Sequence, residues 1–317
     1  MTNEILLKIK SVMIGHAVGD ALGVPVEFCS RDELDTGPVD DMEGFGTYPY
    51  PAGCWSDDTS MSLAALDSLS KGDIDWDEIM LNFRKWLEED AYTPTGECFD
   101  SGRTCVKAIL SYFAYGKSVQ TCGQTGEHSN GNGSLMRIHP FVLFTEYGEY
   151  LGNWLDIIHQ ASALTHAHER SVIACGIYSI LLRQLLIAPN KQSVQVALDI
   201  AKEKYSKYAE YGHYQRMFES DFIQTKRSEI KITGYVVDTL EAAVWCLLTT
   251  DTYSECVLKA VNLGDDTDTV AAIAGGLAGA LYGYDSIPEE WRNTLARRDY
   301  IEEMCERAWQ QWRANSQ

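Results

Sequence analysis

Strand patterns are what this sequence has least of. Alternation of apolar and polar residues bounded by turns is nearly absent from its 317 residues, which leaves little room for a sheet-based fold. Long apolar runs are also missing. Stretches such as Val270 to Tyr282 stop well short of the roughly 20 residues that a membrane span requires, so no membrane partner is expected. The N-terminal "MTNEILLKIKSVMIGHAVGD" lacks a basic segment followed by an uninterrupted apolar run, so no signal peptide is expected. There is no C-x-x-C pair and no zinc-like spacing among the nine cysteines, scattered from Cys29 to Cys305, and an odd number argues against a disulfide framework. They read as reduced thiols of a cytoplasmic protein. Positive charge is scarce: 26 basic against 46 acidic residues give a formal net charge of -20, with no basic cluster to offset it. Nucleic acid and anionic membranes are therefore poor partners, and an anionic small molecule would need local help from metal ions or helix N-termini.

Helical periodicity fills the space that strands leave. Ile5, Leu6, Ile9, Val12, Met13 and Val18 share one helix face, which Gly23 and Pro25 end. Similar patterns recur at Met61 to Leu69, Ile79 to Leu87, Val106 to Phe113, Ser171 to Ile187, Val194 to Ala201, Val236 to Leu248 and Tyr253 to Val261. No Pro/Ser-rich linker or shift of composition divides the chain. The expectation is one compact all-α domain over residues 1–317, a monomer, with irregular stretches at Cys29 to Cys54, Asp90 to Asp100, Thr121 to Pro140 and part of Lys202 to Thr233. In the last of these Tyr205, Tyr208, Tyr211 and Tyr214 recur every third residue, as a packing stripe or as an aromatic lid over a substrate.

Two acidic clusters stand out. "GDDTDTVAAIAGGLAGALYG" places Asp266, Asp268 and Thr269 around the start of a helix running from about Thr267 to Leu281. Acidic and hydroxyl residues belong at helix N-termini as caps, but one cap satisfies a helix. Glycines at 275, 279 and 283 make this helix slim and point to a central position, where clustered carboxylates repel one another unless a cation sits among them. The pattern returns in "CWSDDTSMSLAALDSL", where Ser56, Asp57, Asp58 and Thr59 open a helix. Hard oxygen ligands without Cys or His suit Mg2+ or Mn2+, and two clusters suit a two-metal site.

Weaker signals accompany them. "EHSNGNGSLMRIHP" permits positive φ and exposes backbone N–H groups, as an anion nest or as an ordinary turn. His166 and His168 in "ALTHAHERS" are caps or ligands ahead of a long helix. Asp100 in "FDSGRT" and Glu27 after Pro25 have no assignment from their neighbours alone. From the residues alone, a two-metal phosphohydrolase attacking a pyrophosphate is also open.

Taken in order, "GHAVGDALGVPVEF", "GCWSDDTSMSLAALDSL", "YTPTGECFDSGRT", "GNGSLMR", "ALTHAH", "ITGYVVDTLEAAVWCL" and "NLGDDTDTVAAIAGGLAGALYG" resemble the ADP-ribosylglycohydrolase family, over residues 11–285. "YTPTGECFDSGRT" looks closest to the branch that cleaves ADP-ribose from arginine, that of the dinitrogenase reductase-activating glycohydrolase. The resemblance implies an all-α fold with two divalent cations at the bottom of a cleft. It implies hydrolysis of the bond between ADP-ribose C1″ and a modified side chain. The substrate would be an ADP-ribosylated protein, arginine-linked first, or a small ADP-ribose conjugate such as a serine-linked or O-acetyl one. Carried over residue by residue, it implies Ser56, Asp57, Asp58, Asp266, Asp268 and Thr269 as metal ligands. Asp100 and Glu27 become the catalytic carboxylates. Ser129, Asn130, Gly131, Asn132, Gly133, Ser134 and Met136 would hold the diphosphate and ribose, with His166 and Tyr235 lining the same cleft. Ser56 stands where threonine is usual, and Asp265 where glycine is frequent. Asp265 and Thr267 are accordingly expected to serve only the helix start. Some relatives of the family resemble it without evident hydrolase activity, so a binding or structural role is the competing expectation.

Overall fold

The computed structural model describes residues 2–148 and 152–315. Among them there are fourteen α-helices and no β-strand, only two isolated bridges, Gln124 with His166 and Gly131 with Tyr235. The all-α expectation holds.

The centre is a pair of helices, α1 (Thr2–Gly23) and α12 (Thr267–Tyr282), which pack on each other more extensively than any other two elements. Glycines on both helices let their backbones touch. A Cβ on Gly15 would lie 2.5 Å from the Gly275 carbonyl oxygen, and one on Gly19 would lie 2.1 Å from that of Ala271. Backbone therefore meets backbone, and neither partner can move aside as a side chain would. Thr267 adds a side-chain tie, its hydroxyl donating to the Gly23 carbonyl at 2.8 Å. Replacing Gly19 by Val is expected to cost at least about 3 kcal/mol, the upper range for overpacking, and to lower the midpoint of thermal denaturation followed by circular dichroism.

Other helices surround this pair in chain order: α2 (Arg31–Thr36), α3 (Asp57–Leu69), α4 (Trp76–Glu89), α5 (Arg103–Phe113), α6 (His139–Tyr147) and α7 (Trp154–Ala163). Then come α8 (Glu169–Ile187), α9 (Lys191–Tyr205), α10 (Val236–Leu248), α11 (Tyr253–Val261), α13 (Glu289–Thr294) and α14 (Arg298–Asn315). Helix starts follow local chemistry. Ser30 with Glu33 and Thr252 with Glu255 form capping boxes, and Asp75, Asn153 and Asn190 cap α4, α7 and α9. Helix α8 is long and apolar enough to cross a membrane by length and composition alone, yet 78% of its apolar window is buried inside the fold. It is a core helix.

The four evenly spaced tyrosines are a packing stripe. Tyr205 ends α9, and the chain continues as a 3-10 helix over Ala209–Phe218, whose three residues per turn match the spacing. Tyr205 is buried with its hydroxyl 2.8 Å from His159 Nε2, and the buried Tyr214 donates to the Arg170 carbonyl at 2.5 Å.

Candidate active site

The N-termini of α3 and α12 point to one place because both helices pack on α1. At that place the chain gathers carboxylates. Oxygens of Asp20, Asp58 and Asp268 lie within 4.8 Å of one another, and a second group within the same distance comprises Glu27, Asp100 and Asp268. Asp268 belongs to both.

Asp58 and Asp268 are fully buried, and neither carboxylate oxygen of either residue has a hydrogen-bond partner. Burying an ionised carboxylate without a partner is among the most expensive arrangements a protein can hold. Burial pushes both well above the usual carboxylate range, and the charges that act most strongly on them are other carboxylates: Asp20 and Asp57 on Asp58, Glu27 and Asp58 on Asp268. Burial likewise raises Asp57 well above its usual value, Asp20 and Asp266 to about 6, and Glu27 to about 8, the last assisted by Asp100. Such a set could hold a divalent cation, and all-oxygen donors suit a hard ion. Each of the two groups could hold a metal ion, and they share the Asp268 carboxylate.

Each ligand candidate is held by its neighbours. Ser56 is the N-cap of α3, its hydroxyl accepting from the Asp58 N–H at 3.3 Å. The Gly102 backbone favours the charged form of Asp57, which places the first cluster beside the loop of Asp100. Asp266 is the N-cap of α12 by position but makes no side-chain cap; its Oδ2 instead accepts from Asn132 Nδ2 at 2.6 Å. Thr269 lines the cleft beside it. Thr267 stands at the helix start, but its hydroxyl ties α12 to the Gly23 carbonyl of α1 and caps nothing in α12. Asp265 caps nothing either, is exposed, and lines the cleft on left-handed backbone at φ +55°.

Above the carboxylates opens a cleft of about 580 Å³. Its wall includes Gly131, Asn132, Gly133, Met136 and His166. The glycine-asparagine loop is clamped from both sides. Asn132 N–H donates to the Gly234 carbonyl at 3.1 Å, Val236 N–H donates to that of Asn130 at 3.0 Å, and the Gly133 and Ser134 N–H groups take no part in this pairing. A Cβ on Gly133 would lie 2.9 Å from Cys105 Sγ and 3.0 Å from the His166 ring, so only glycine fits there. His166 is buried, bonded through Nδ1 to the Thr165 hydroxyl at 2.8 Å, and burial lowers it to about 3; it is neutral. His168 is a cap, accepting from the Arg170 N–H at the start of α8.

Four expected cleft residues stand elsewhere. Ser134 is fully buried against Ser162, 3.0 Å away, and Asn130 accepts from Ser171 at 3.0 Å, so both shape the loop from behind. Ser129 ends the 3-10 turn Glu127–Ser129 and does not line the cleft. The Tyr235 ring lies 5.6 Å from the Arg170 guanidinium in a groove beside the cleft, near His213, while its neighbours Thr233 and Gly234 reach the cleft wall.

Sequence reasoning missed two members of the site. Asp20, fully buried on α1, accepts from the Ser56 N–H at 2.9 Å and from the Thr59 N–H and hydroxyl at 3.0 and 2.6 Å. It joins α1 to the start of α3 while contributing an oxygen to the first carboxylate group. The signal was available: a lone carboxylate among Ala17, Val18, Ala21 and Leu22 on a buried helix. Tyr48 is the other. Its phenol faces Glu27 and Asp100 and favours the charged form of both. Nothing in "GTYPYPAG" distinguishes it from any loop tyrosine.

The model of the ADP-ribosylglycohydrolase family matches residues 1–317 of this chain. The chain belongs to the ADP-ribosylglycohydrolase family. It is 33% identical over 305 residues to the ADP-ribosylarginine hydrolase Tri1 of Serratia proteamaculans, covering 96% of this chain and 79% of that protein. It is 32% identical over 288 residues to the ADP-ribosyl-[dinitrogen reductase] glycohydrolase of Rhodospirillum rubrum, with 89% and 88% covered. Among solved structures, an ADP-ribosylglycohydrolase-related protein complex superposes with a TM-score of 0.81 at 29% identity, covering 98% of this chain and 99% of that one. The chain is thus an ADP-ribosylglycohydrolase.

Proposed function

We propose that this ADP-ribosylglycohydrolase cleaves the bond between ADP-ribose C1″ and the side-chain nitrogen of arginine on a modified protein, using two divalent cations, Mg2+ or Mn2+. The observation that carries the reading is the pair of buried, partnerless carboxylates of Asp58 and Asp268 on the cleft floor, directly beside Glu27 and Asp100. A purely structural or binding role requires neither carboxylate buried without a partner. The relatives named for action on ADP-ribosylated arginine and dinitrogen reductase support the linkage.

In this reading Asp58, Asp268, Asp57, Asp266, Thr269 and Ser56 hold the cations, the serine hydroxyl retaining a lone pair after capping, and Asp20 extends the set. When bound, the cations would orient the ribose hydroxyls and acidify a water. The chain's own residues then do the rest. The Gly131–Gly133 loop with Met136 and His166 seats the diphosphate and ribose, its backbone N–H groups compensating for the acidic surroundings. Asp100, on left-handed backbone at φ +51°, faces the floor and acts on the proton of the attacking water. Glu27 positions that water, and Tyr48 fixes both carboxylates. The C1″–N bond breaks with its electron pair on nitrogen, the water oxygen bonds to C1″, and a proton passes to the departing nitrogen. The 317 residues would act as one monomeric domain. All nine cysteines are unpaired, which suits a cytoplasmic setting.

Asp100→Ala is expected to lower turnover of ADP-ribosyl-arginine about 10²- to 10⁴-fold, as loss of a general acid or base does. Chromatography of the products checks both rate and reaction. Intact ADP-ribose supports the glycosidic cleavage; AMP with ribose 5-phosphate would mean that a pyrophosphate is attacked instead. An unchanged rate in the variant would remove Asp100 from its role.

A further inference from the structure

Two side chains at the cleft have no part in the reaction just described. Phe28 follows Glu27, holds φ +67°, and exposes 66% of its surface; Asp265 precedes Asp266, holds φ +55°, and is exposed. Both line the cleft. A bulky residue at positive φ is an outlier, and an aromatic ring left in water stabilises nothing. Finding both side by side on the cleft wall directs attention from packing to ligand.

The two are held side by side. Phe28 N–H donates to the Asp265 carbonyl at 2.7 Å, and Asp265 N–H donates to the Cys29 carbonyl at 2.7 Å. Arg31 anchors the same junction, donating to the carbonyls of Leu263, Arg227 and Ile230 at 3.0, 2.7 and 2.7 Å. Those bonds occupy the Arg31 guanidinium, and Arg227 pairs with Asp35 at 2.7 Å. Neither arginine bonds the Asp265 carboxylate, which lines the cleft.

We infer that Phe28 and Asp265 form the subsite for the leaving group, with chemistry suited to a guanidinium. A guanidinium is flat, permanently charged, and carries forked N–H donors. Its face stacks on an aromatic ring and its edge bonds a carboxylate. A neutral oxygen-linked side chain offers neither the charge nor the face. The pair thus selects among linkages at the mouth, while the floor below treats C1″ alike in all of them. This inference rests on the arginine-linked reading and adds the residues that would enforce it.

The test compares wild type with Asp265→Asn and Phe28→Leu. Asparagine tolerates left-handed backbone, so the first variant leaves the junction intact. Two readouts are taken on the Mg2+-loaded protein: kcat/KM for arginine-linked relative to serine-linked ADP-ribose, and the affinity of agmatine for protein saturated with ADP-ribose, by calorimetry. Asp265→Asn is expected to lower the arginine-to-serine ratio about tenfold, mainly through KM, and to weaken agmatine by a similar factor. Phe28→Leu is expected to lower both about threefold. Equal losses on the two linkages, or agmatine binding indifferent to both variants, overturns the subsite. If wild type hydrolyses neither linkage, the hydrolase reading fails separately. Agmatine binding then still decides the subsite: dependence on Asp265 upholds it, and independence overturns it.

Discussion

Asp268→Asn is expected to make the metal-free protein more stable while slowing ADP-ribose release about a thousandfold. The two effects have one cause. Asp268 is fully buried, both its oxygens lack partners, and it belongs to both carboxylate groups. In the metal-free protein it is repelled by Glu27, Asp58 and Asp100. The amide has nearly the same volume and no charge, so folding no longer has to bury or protonate that group, a gain of about 1–3 kcal/mol. With cations supplied, the amide is a poor ligand for both positions at once, and catalysis falls with their occupancy. Thermal denaturation in chelator and product release in excess Mg2+ measure the two halves. If Asp268 were only part of the helix start, the substitution would lower stability in chelator and leave turnover near that of wild type.

Adding Mg2+ or Mn2+ to chelator-treated protein is expected to raise its melting temperature markedly. A ligand at a hundredfold excess over its Kd stabilises the folded state by about 2.7 kcal/mol per site, a shift on the order of 5 °C for a chain of this size. The shift should vanish in Asp268→Asn and in Asp58→Asn, because each removes an oxygen from the shared floor. It should survive Phe28→Leu, which lies at the mouth. Zinc and copper offer a control, since an all-oxygen site without Cys or His gives them no preferred donors. A melting temperature unmoved by every cation would mean that the buried carboxylates are simply protonated.

The sequence carried most of the fold because its helices announce themselves locally. Helices α10 and α11 have the ends that their periodicity gives, and α12 differs by one residue. Helices α2, α6, α7, α13 and α14 have no such signal, and α2 (Arg31–Thr36) forms inside the stretch Cys29 to Cys54 that was expected to be irregular. Residues such as His139 and Pro140 in α6 break the periodic pattern, and the short α13 offers barely two turns. The paired acidic clusters were legible because two elements repeated one chemistry. Their convergence rests on the glycine faces of α1 and α12, where the glycines of "GDDTDTVAAIAGGLAGALYG" could be counted but their partner could not be named. Asp20 escaped for the opposite reason: it stands alone on α1, and its role exists only because α3 starts against it. Asn130 and Ser134 carry the right residue types and face away from the cleft, a distinction made by the clamping of the loop and invisible in "SNGNGS".

The central claim is that the carboxylate floor holds cations which the glycosidic cleavage requires. The most direct measurement incubates the protein with an arginine-ADP-ribosylated protein and follows free ADP-ribose by chromatography, with Mg2+ or Mn2+, with chelator, and with cation restored. Intact ADP-ribose released with cation, abolished by chelator and recovered on restoration, is the result predicted. Release that continues undiminished in chelator would contradict the claim.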